Sequence, residues 1–251
     1  MSSDASAFLQ TMTATMQEVA QSQREGVSAG AALLRRCLDD GGVVQAFGTG
    51  HSEAFAMEIA GRAGGLVPTN RLTLRDPVIV GEAGADYLAD PLLERNPETA
   101  HAIYRLIPQV HPADVFVVAS NSGANGSVVE FASLVKEKGH ALIAVTSMQH
   151  TTQVPSRHPG GKKLYELADV VLDNGAPYGD AVLPLPGGGA ACGISSLTAA
   201  MLAQMMVAEV IDGMVADGLT PPVYLSANIP GGDEHNQALE DRYAGRLRRL
   251  P

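Results

Sequence analysis

The sequence predicts an α/β fold in which a parallel sheet carries helices on both faces. Three observations point to it. Short apolar runs rich in β-branched residues recur at 43–47, 114–119, 141–145 and 168–172, as buried strands do. Segments with helical spacing stand between them on short connections, the alternation that a parallel sheet requires. Two of the strands end in turns rich in serine and glycine that open straight into a helix. These are Gly48-Thr49-Gly50-His51-Ser52 and Ser120-Asn121-Ser122-Gly123-Ala124-Asn125-Gly126-Ser127.

Taken in order, residues 1–40 read as a helical arm. Phe8, Met12, Met16 and Val19 form one apolar stripe, and Val27, Ala31, Leu34 and Leu38 continue it on a shifted face. Gly41 and Gly42 end the arm. The strand 43–47 and its glycine turn lead into a helix over 53–62, and 66–74 reads as a second strand with polar interruptions. From 75 to 108 the pattern is mixed, with Pro77, Pro91, Pro97 and Pro108. This stretch reads as a lid-like excursion, since long segments between core elements are often functional. The strand 114–119 precedes the second turn, and Val128, Phe131, Ala132 and Val135 set the helix after it. Next come the strand 141–145, a polar loop over 147–163, the strand 168–172 and a turn cluster over 173–180.

Residues 192–216 then form a long helix that is apolar on nearly every side. Such a helix is buried, and part of its surface is expected against another subunit. Pro221 and Pro222 block its continuation. Residues 225–235 read as an extended glycine-rich loop, and 237–250 as a last helix bearing Arg242, Arg246, Arg248 and Arg249. The chain thus divides into an arm, 1–40, and one domain, 41–251.

Composition narrows the function. The 251 residues suffice for a sizeable core, 45% are apolar, and without tryptophan that core is built of Ala, Val, Leu, Ile and Met. No stretch reads as a membrane span or a signal peptide. Cys37 and Cys192 lie far apart without metal-ligand spacing, which points to a reducing cytoplasm. A net charge of −10 argues against nucleic acid as a partner, and it requires that any anionic substrate be held by local donors. The seven histidines show no ligand spacing, so neither a metal nor a cofactor is expected.

The two turns supply such donors. A helix N-terminus offers unpaired N–H groups and the positive end of a dipole, and glycines let an anion approach the backbone. Serine hydroxyls add donors without adding charge. The same residues also build an ordinary βα turn, with Ser127 as helix cap. Two such turns on neighbouring strands favour a phosphate cradle, because ligands of open parallel sheets sit where the winding direction switches. The Gly48-x-Gly50 pair lacks the third glycine of a dinucleotide fingerprint, and no Gly-Lys-Ser/Thr of a Walker loop occurs.

Five stretches together resemble the sugar isomerase (SIS) domain, and within it a stand-alone bacterial subgroup. They are Phe47 to Ser52, Ser120 to Gly123, Ser156-Arg157-His158-Pro159-Gly160, Asp173 to Pro177, and Pro221 to Asn228 with Gly231 to Asn236. The resemblance runs from about residue 5 to the end. It implies a three-layer α/β sandwich with a five-stranded parallel sheet, and a homodimer with its sites at the subunit interface. It also implies phosphosugar binding through Ser52, Ser120, Ser122 and Ser127. The superfamily holds aldose–ketose isomerases, etherases and transcriptional regulators, and the subgroup resembles an actinobacterial dehydratase of N-acetylglucosamine 6-phosphate. Between Gly84 and His101 this chain is expanded and rewritten relative to the subgroup.

Isomerisation and β-elimination both begin with loss of the C2 proton, which calls for a base and for a second group that protonates an oxygen. Glu82 is the expected base, since it stands between Gly81 and Gly84 at the end of an apolar run. A solvated loop glutamate is the plainer reading. His235, beside Asp233, Glu234 and Asn236 in the glycine-rich loop, is the expected second group, and it could instead be a surface histidine. Gly50, His51, Asn121, Asn125, Arg157 and His158 are possible substrate contacts. For His51 the alternative is a helix cap, and for Arg157 and His158 it is ordinary surface charge. Glu53 and Glu58 read as helix-face charges. The function expected is dehydration of an N-acetylhexosamine 6-phosphate, with a phosphosugar isomerase or a non-catalytic phosphosugar sensor as alternatives.

Overall fold

The computed structural model describes residues 4–249. Residues 1–3 and 250–251, at the outer ends of the expected arm and last helix, lie outside the described residues. The chain opens with α1 (Ala5–Ser22) and α2 (Arg24–Asp39), followed by β1 (Val44–Gly48), α3 (Glu53–Ile59), β2 (Thr69–Leu72), α4 (Asp76–Ile79) and α5 (Glu98–Arg105). Then come β3 (Val115–Ala119), α6 (Gly126–Glu137), β4 (Ala141–Thr146), α7 (Met148–Thr151) and β5 (Val170–Asp173). A hairpin, β6 (Ala181–Pro184) and β7 (Ala190–Gly193), precedes α8 (Ser195–Ala216) and α9 (Gly232–Glu240). Strands β1 to β5 form one sheet in the order β2-β1-β3-β4-β5, with every pair parallel. This is the five-stranded α/β sandwich expected.

Alternate strand residues feed two cores. Val44, Ala46, Val115, Val117, Ile143 and Val145 face α1, α2, α3 and α8. Phe47, Phe116, Val118, Leu142 and Ala144 face α5 and α6. Phe131 of α6 meets Phe47 with ring centroids 4.6 Å apart and Phe116 at 5.8 Å. That contact fixes α6 over β1 and β3, and so fixes where its N-terminus lies. Losing the Phe131 ring would cost about 3–5 kcal/mol.

The edge of the sheet at β2 is covered by residues 246–249. Arg249 donates to the carbonyls of Thr69 and Val67, each at 2.7 Å, and Arg248 to that of Arg71 at 3.2 Å. Asn70 locks the register by donating to Arg246 O at 2.9 Å and accepting from Arg248 N–H at 2.8 Å. Arg246 pairs with buried Asp114, which also takes the Val43 N–H at 2.8 Å. An open strand edge invites pairing with another chain, and this tail removes it.

Several elements differ from the expectation. The arm is two helices, interrupted at Gln23. Gln23 turns its side chain to accept the Asp173 N–H at 2.9 Å, and α2 is buried against the sheet. The turn cluster continues into the β6–β7 hairpin, so the long helix starts at Ser195 instead of residue 192. By length and hydropathy (22 residues, mean hydropathy 1.5) α8 would span a membrane, contrary to the reading that no stretch could. It packs as a core helix, with Leu202, Met206 and Val210 buried against the sheet-side cluster. The expected loop 225–235 already contains the start of α9, and the expected helix 237–250 gives way after Tyr243 to the edge-covering tail.

Candidate functional site

Strand order places β1 beside β3 with the chain winding outward in both directions, so the switch point lies between them. The two Ser/Gly turns leave the sheet there. A small cleft at these carboxyl ends is lined by His51, Ser52, Ser120, Asn121, Asn174 and Ser195, with Ser196 beside them. Its floor is apolar, made by Phe55, Ala119 and Val145. No formally charged side chain lines it, so an anion there would be held by hydroxyls, amides and backbone N–H groups.

Internal hydrogen bonds hold the second turn. Ser120 donates its N–H to Val145 O at 2.9 Å, and its hydroxyl oxygen accepts the Gly123 N–H at 3.1 Å. Ser122 Oγ accepts the Ala124 N–H at 3.4 Å. Gly123 takes the left-handed conformation, φ +57°, and a side chain there would press on Thr151 Oγ1, Thr146 Oγ1 and Leu164 Cβ at 3.1–3.3 Å. Asn121 ties the turn to the next strands. Its carbonyl accepts from Ser147 N–H, and its side-chain oxygen accepts from Asn174 Nδ2 at 3.1 Å.

The helix N-terminus after this turn is partly covered. Asn125, not Ser127, is the residue before α6. Ser127 is fully buried and donates its hydroxyl to Glu94 O at 2.6 Å. Leu93, itself buried, anchors this part of the excursion. The Glu94 carboxylate lies beside Gly50, with Oε2 4.0 Å from where a Cβ on Gly50 would be. One residue of the excursion therefore accepts a hydrogen bond from the second turn and lies near the first. Nothing in the sequence marks Glu94, because a charge in a proline-rich stretch carries no local signal of where the stretch folds back.

The other expected contacts have partners of their own. Arg157 donates to Asn125 Oδ1 at 3.0 Å, which keeps it at the rim. His158 bonds Glu130 through Nε2 at 2.6 Å, and His101 bonds the other oxygen of the same carboxylate at 2.7 Å. Burial would raise the Glu130 pKa, but the bonds to His158 and His101 outweigh it and hold the carboxyl below its usual range. The two histidines thus clamp α5 and the 156–163 loop to α6. Glu53, the first residue of α3, is paired with Arg75, and Glu58 accepts from Gln204 Nε2 at 2.6 Å.

Glu82 and His235 do not line the cleft. Glu82 is exposed in the loop after α4. His235 is not in a loop but in the first turn of α9, where its Nε2 lies 3.1 Å from Val223 O. Val223 bridges to Leu66, ahead of β2, so His235 sits toward the amino end of the sheet, opposite Ser120. The N-terminus of α8 is also occupied. Asp180 accepts from the N–H groups of Ile194 and Ser195 and from Ser195 Oγ at 2.8–3.1 Å. Among the described residues no group of three or more His, Cys, Asp or Glu side chains is placed to hold a metal. Burial pushes the Cys37 thiol up to about 12, which leaves it unreactive.

Comparison with known proteins places this geometry. Residues 7–147, which carry both turns, match the model of the SIS domain. The chain belongs to the SIS-domain family. Relatives named UPF0309 proteins include one from Listeria monocytogenes serovar 1/2a, 41% identical over 92% of this chain and 93% of the relative. Another, from Geobacillus kaustophilus, is 33% identical over 96% and 94%. Among solved structures, phosphoheptose isomerase GmhA from Neisseria gonorrhoeae has a TM-score of 0.53 at 21% identity, over 82% of this chain and 96% of that one. A phosphoheptose isomerase from Francisella tularensis has a TM-score of 0.54 at 14% identity, over 83% and 96%. These likenesses share the fold of this SIS-domain protein.

Proposed function

We propose that the chain is a sugar-phosphate enzyme that dehydrates an N-acetylhexosamine 6-phosphate, N-acetylglucosamine 6-phosphate first among them. The observation that carries the reading is the uncharged, hydroxyl-lined cleft between β1 and β3, in a SIS-domain chain with a net charge of −10. Ser52, Ser120 and Ser122 are taken to hold the phosphate, and Ser127 to position the rim through Glu94. A base removes the C2 proton of the open-chain sugar, whose aldehyde spreads the charge. The C3–O bond then breaks, an acid protonates the leaving oxygen, and water departs to leave a 2,3-unsaturated aldehyde. Glu82 is offered as base, with Glu94 as the carboxylate nearer the cleft.

His235 is offered as the acid, which requires a second subunit, since its own protomer holds it at the far end of the sheet. The apolar positions left exposed on and after α8, Leu197, Val215 and Leu219, favour a homodimer that brings it there. Aldose–ketose isomerisation is the second reading, favoured by the phosphoheptose isomerases of like fold. The test is incubation with a panel of hexosamine 6-phosphates. Loss of one water from an acetylated sugar supports the dehydratase, and a ketose phosphate from an unacetylated sugar supports the isomerase. No turnover of any member, with binding retained, leaves a sensor. A monomer mass by light scattering at micromolar concentration removes His235 from the mechanism.

A further inference from the structure

A second hollow lies away from the cleft, beyond the other end of α3. It is a cavity of about 290 Å³ lined by Met57, Ala60 and Gly61 and by four arginines, Arg62, Arg71, Arg248 and Arg249. That is near the lower end of the range that small-molecule pockets occupy, about 300–1,000 Å³. Helix α3 separates it from Ser52, and eight residues from Ser52 to Ala60 at about 1.5 Å each put some 12 Å between those two residues along the helix.

The arginines differ in what they have left to give. Arg249 is spent, with its donors on Tyr224, Glu240, Thr69 O and Val67 O. Arg248, 9% exposed, pairs with Asp76 and donates to Leu106 O and Arg71 O, yet its buried Nε has no partner. Arg62 pairs with Glu58 through Nη1 and bonds Ala63 O weakly, at 3.4 Å, through Nε. Arg71 projects from β2 on the α3 side, since Leu72 faces the opposite core. Among the described residues its guanidinium meets neither a carboxylate nor a carbonyl. Four cations thus share three carboxylates, Glu58, Asp76 and Glu240, in a chain that is acidic overall. Such crowding of like charge is unfavourable until an anion enters, and a guanidinium fork matches two oxygens of a phosphate.

We infer that this cavity is a second anion site, which takes the phosphate group of a small phosphorylated molecule between Arg71 and Arg62. It stands apart from the reading of the Ser/Asn cleft, and it does not need that reading to be right. The site would let the protein hold two phosphates per chain, one by neutral donors and one by guanidinium groups.

The test is equilibrium dialysis against radiolabelled inorganic phosphate at low ionic strength, where screening is weakest. The wild type, Arg71→Gln, Arg71→Lys and Ser122→Ala are compared. Arg71→Gln is expected to lose one phosphate per chain relative to the wild type, whatever the wild-type total, and Arg71→Lys to bind that one about tenfold more weakly. Arg71 has no partner to orphan, so neither variant should lower the melting temperature. Ser122→Ala should leave the Arg71 phosphate unchanged, whatever it does to the other. A single phosphate that survives both Arg71 variants overturns the inference, as does a wild type that binds none.

Discussion

Gly126→Ala tests whether the excursion is built onto the second turn. A Cβ at Gly126 would lie 2.1 Å from Arg95 O, 2.9 Å from its carbonyl carbon and 3.3 Å from Pro97 Cδ. No side-chain rotation relieves a backbone clash, so either α6 or the 93–97 segment must move. Helix α6 is held by Val128, Val129 and Phe131, all fully buried, whereas the segment is anchored mainly by Leu93 and by the Ser127–Glu94 hydrogen bond. The segment should therefore lift, and the cost is capped by what docks it. Leu93 contributes about 1.5–3 kcal/mol if it is fully re-exposed, and the hydrogen bond about 1 kcal/mol. Together that is roughly 2–4 kcal/mol, or about 4–16 °C in melting temperature for a chain of this size. Thermal denaturation gives the first number, and the rate of tryptic cleavage after Arg95 reports the lifting itself. If neither the melting temperature nor the cleavage rate changes, the excursion does not bear on α6 as described. If lifting also raises KM for the sugar phosphate with kcat held, the segment helps to bind substrate.

Three more outcomes follow from particular side chains. Ser122→Ala should weaken sugar-phosphate binding about tenfold, read by calorimetry, with little loss of stability because its internal bond is long. Glu82→Gln and Glu94→Gln should separate the two carboxylates. The true base loses about 10²–10⁴ in rate while binding persists, and a variant at the wild-type rate clears its residue. His140, against the Phe116 ring with Tyr104 Oη 3.3 Å from Nε2, has its pKa lowered by burial. The unfolded chain then binds the extra proton first, so stability should fall as pH drops below the ordinary histidine value of about 6.5. Urea midpoints that fall equally in His140→Gln would assign the slope to another group.

Strands β1, β3 and β4 are legible because a strand buried on both faces is a run of apolar residues, β5 carries a similar run although only Leu172 of it is buried, and β2, Thr69-Asn70-Arg71-Leu72, shows only as a run with polar interruptions. The two turns were legible for a related reason, since each must combine donors with backbone freedom at the end of such a run. The misreadings share a cause, which is dependence on partners distant in sequence. The hairpin buries only Leu183 closely, so Ala181–Pro184 carries little hydrophobic pattern. Gly231 and Gly232 looked like loop. Gly231 instead takes φ +79° as the residue before α9, and Gly232 lies against Ser226 O where a Cβ would stand 2.2 Å away. The arginines after Tyr243 suit a helix by propensity, and the unpaired carbonyls of β2 draw them out as a strap. Ser127 is the second residue of α6 and not its cap, and its partner, Glu94 O, is contributed by the excursion.

The turns also explain how an acidic chain could favour a phosphate without a cation in the cleft. Ser120 and Ser122 each accept a turn N–H on oxygen, at 3.1 and 3.4 Å. A hydroxyl whose lone pair is used in this way keeps its proton to donate, so both are set as donors before any ligand arrives. That lowers the ordering cost which binding would otherwise meet. The N-terminus of α8 is treated in the opposite manner. Asp180 takes the first N–H groups of α8 and leaves a carboxylate there, so that N-terminus repels an anion instead of attracting one. A phosphate that entered the cleft would meet a carboxylate at α8 and hydroxyl and N–H donors at the β3–α6 turn. A phosphate mimic should accordingly gain affinity when Asp180 is replaced by Asn, and a loss would mean that the cap holds Ser195 for the ligand and does not steer it.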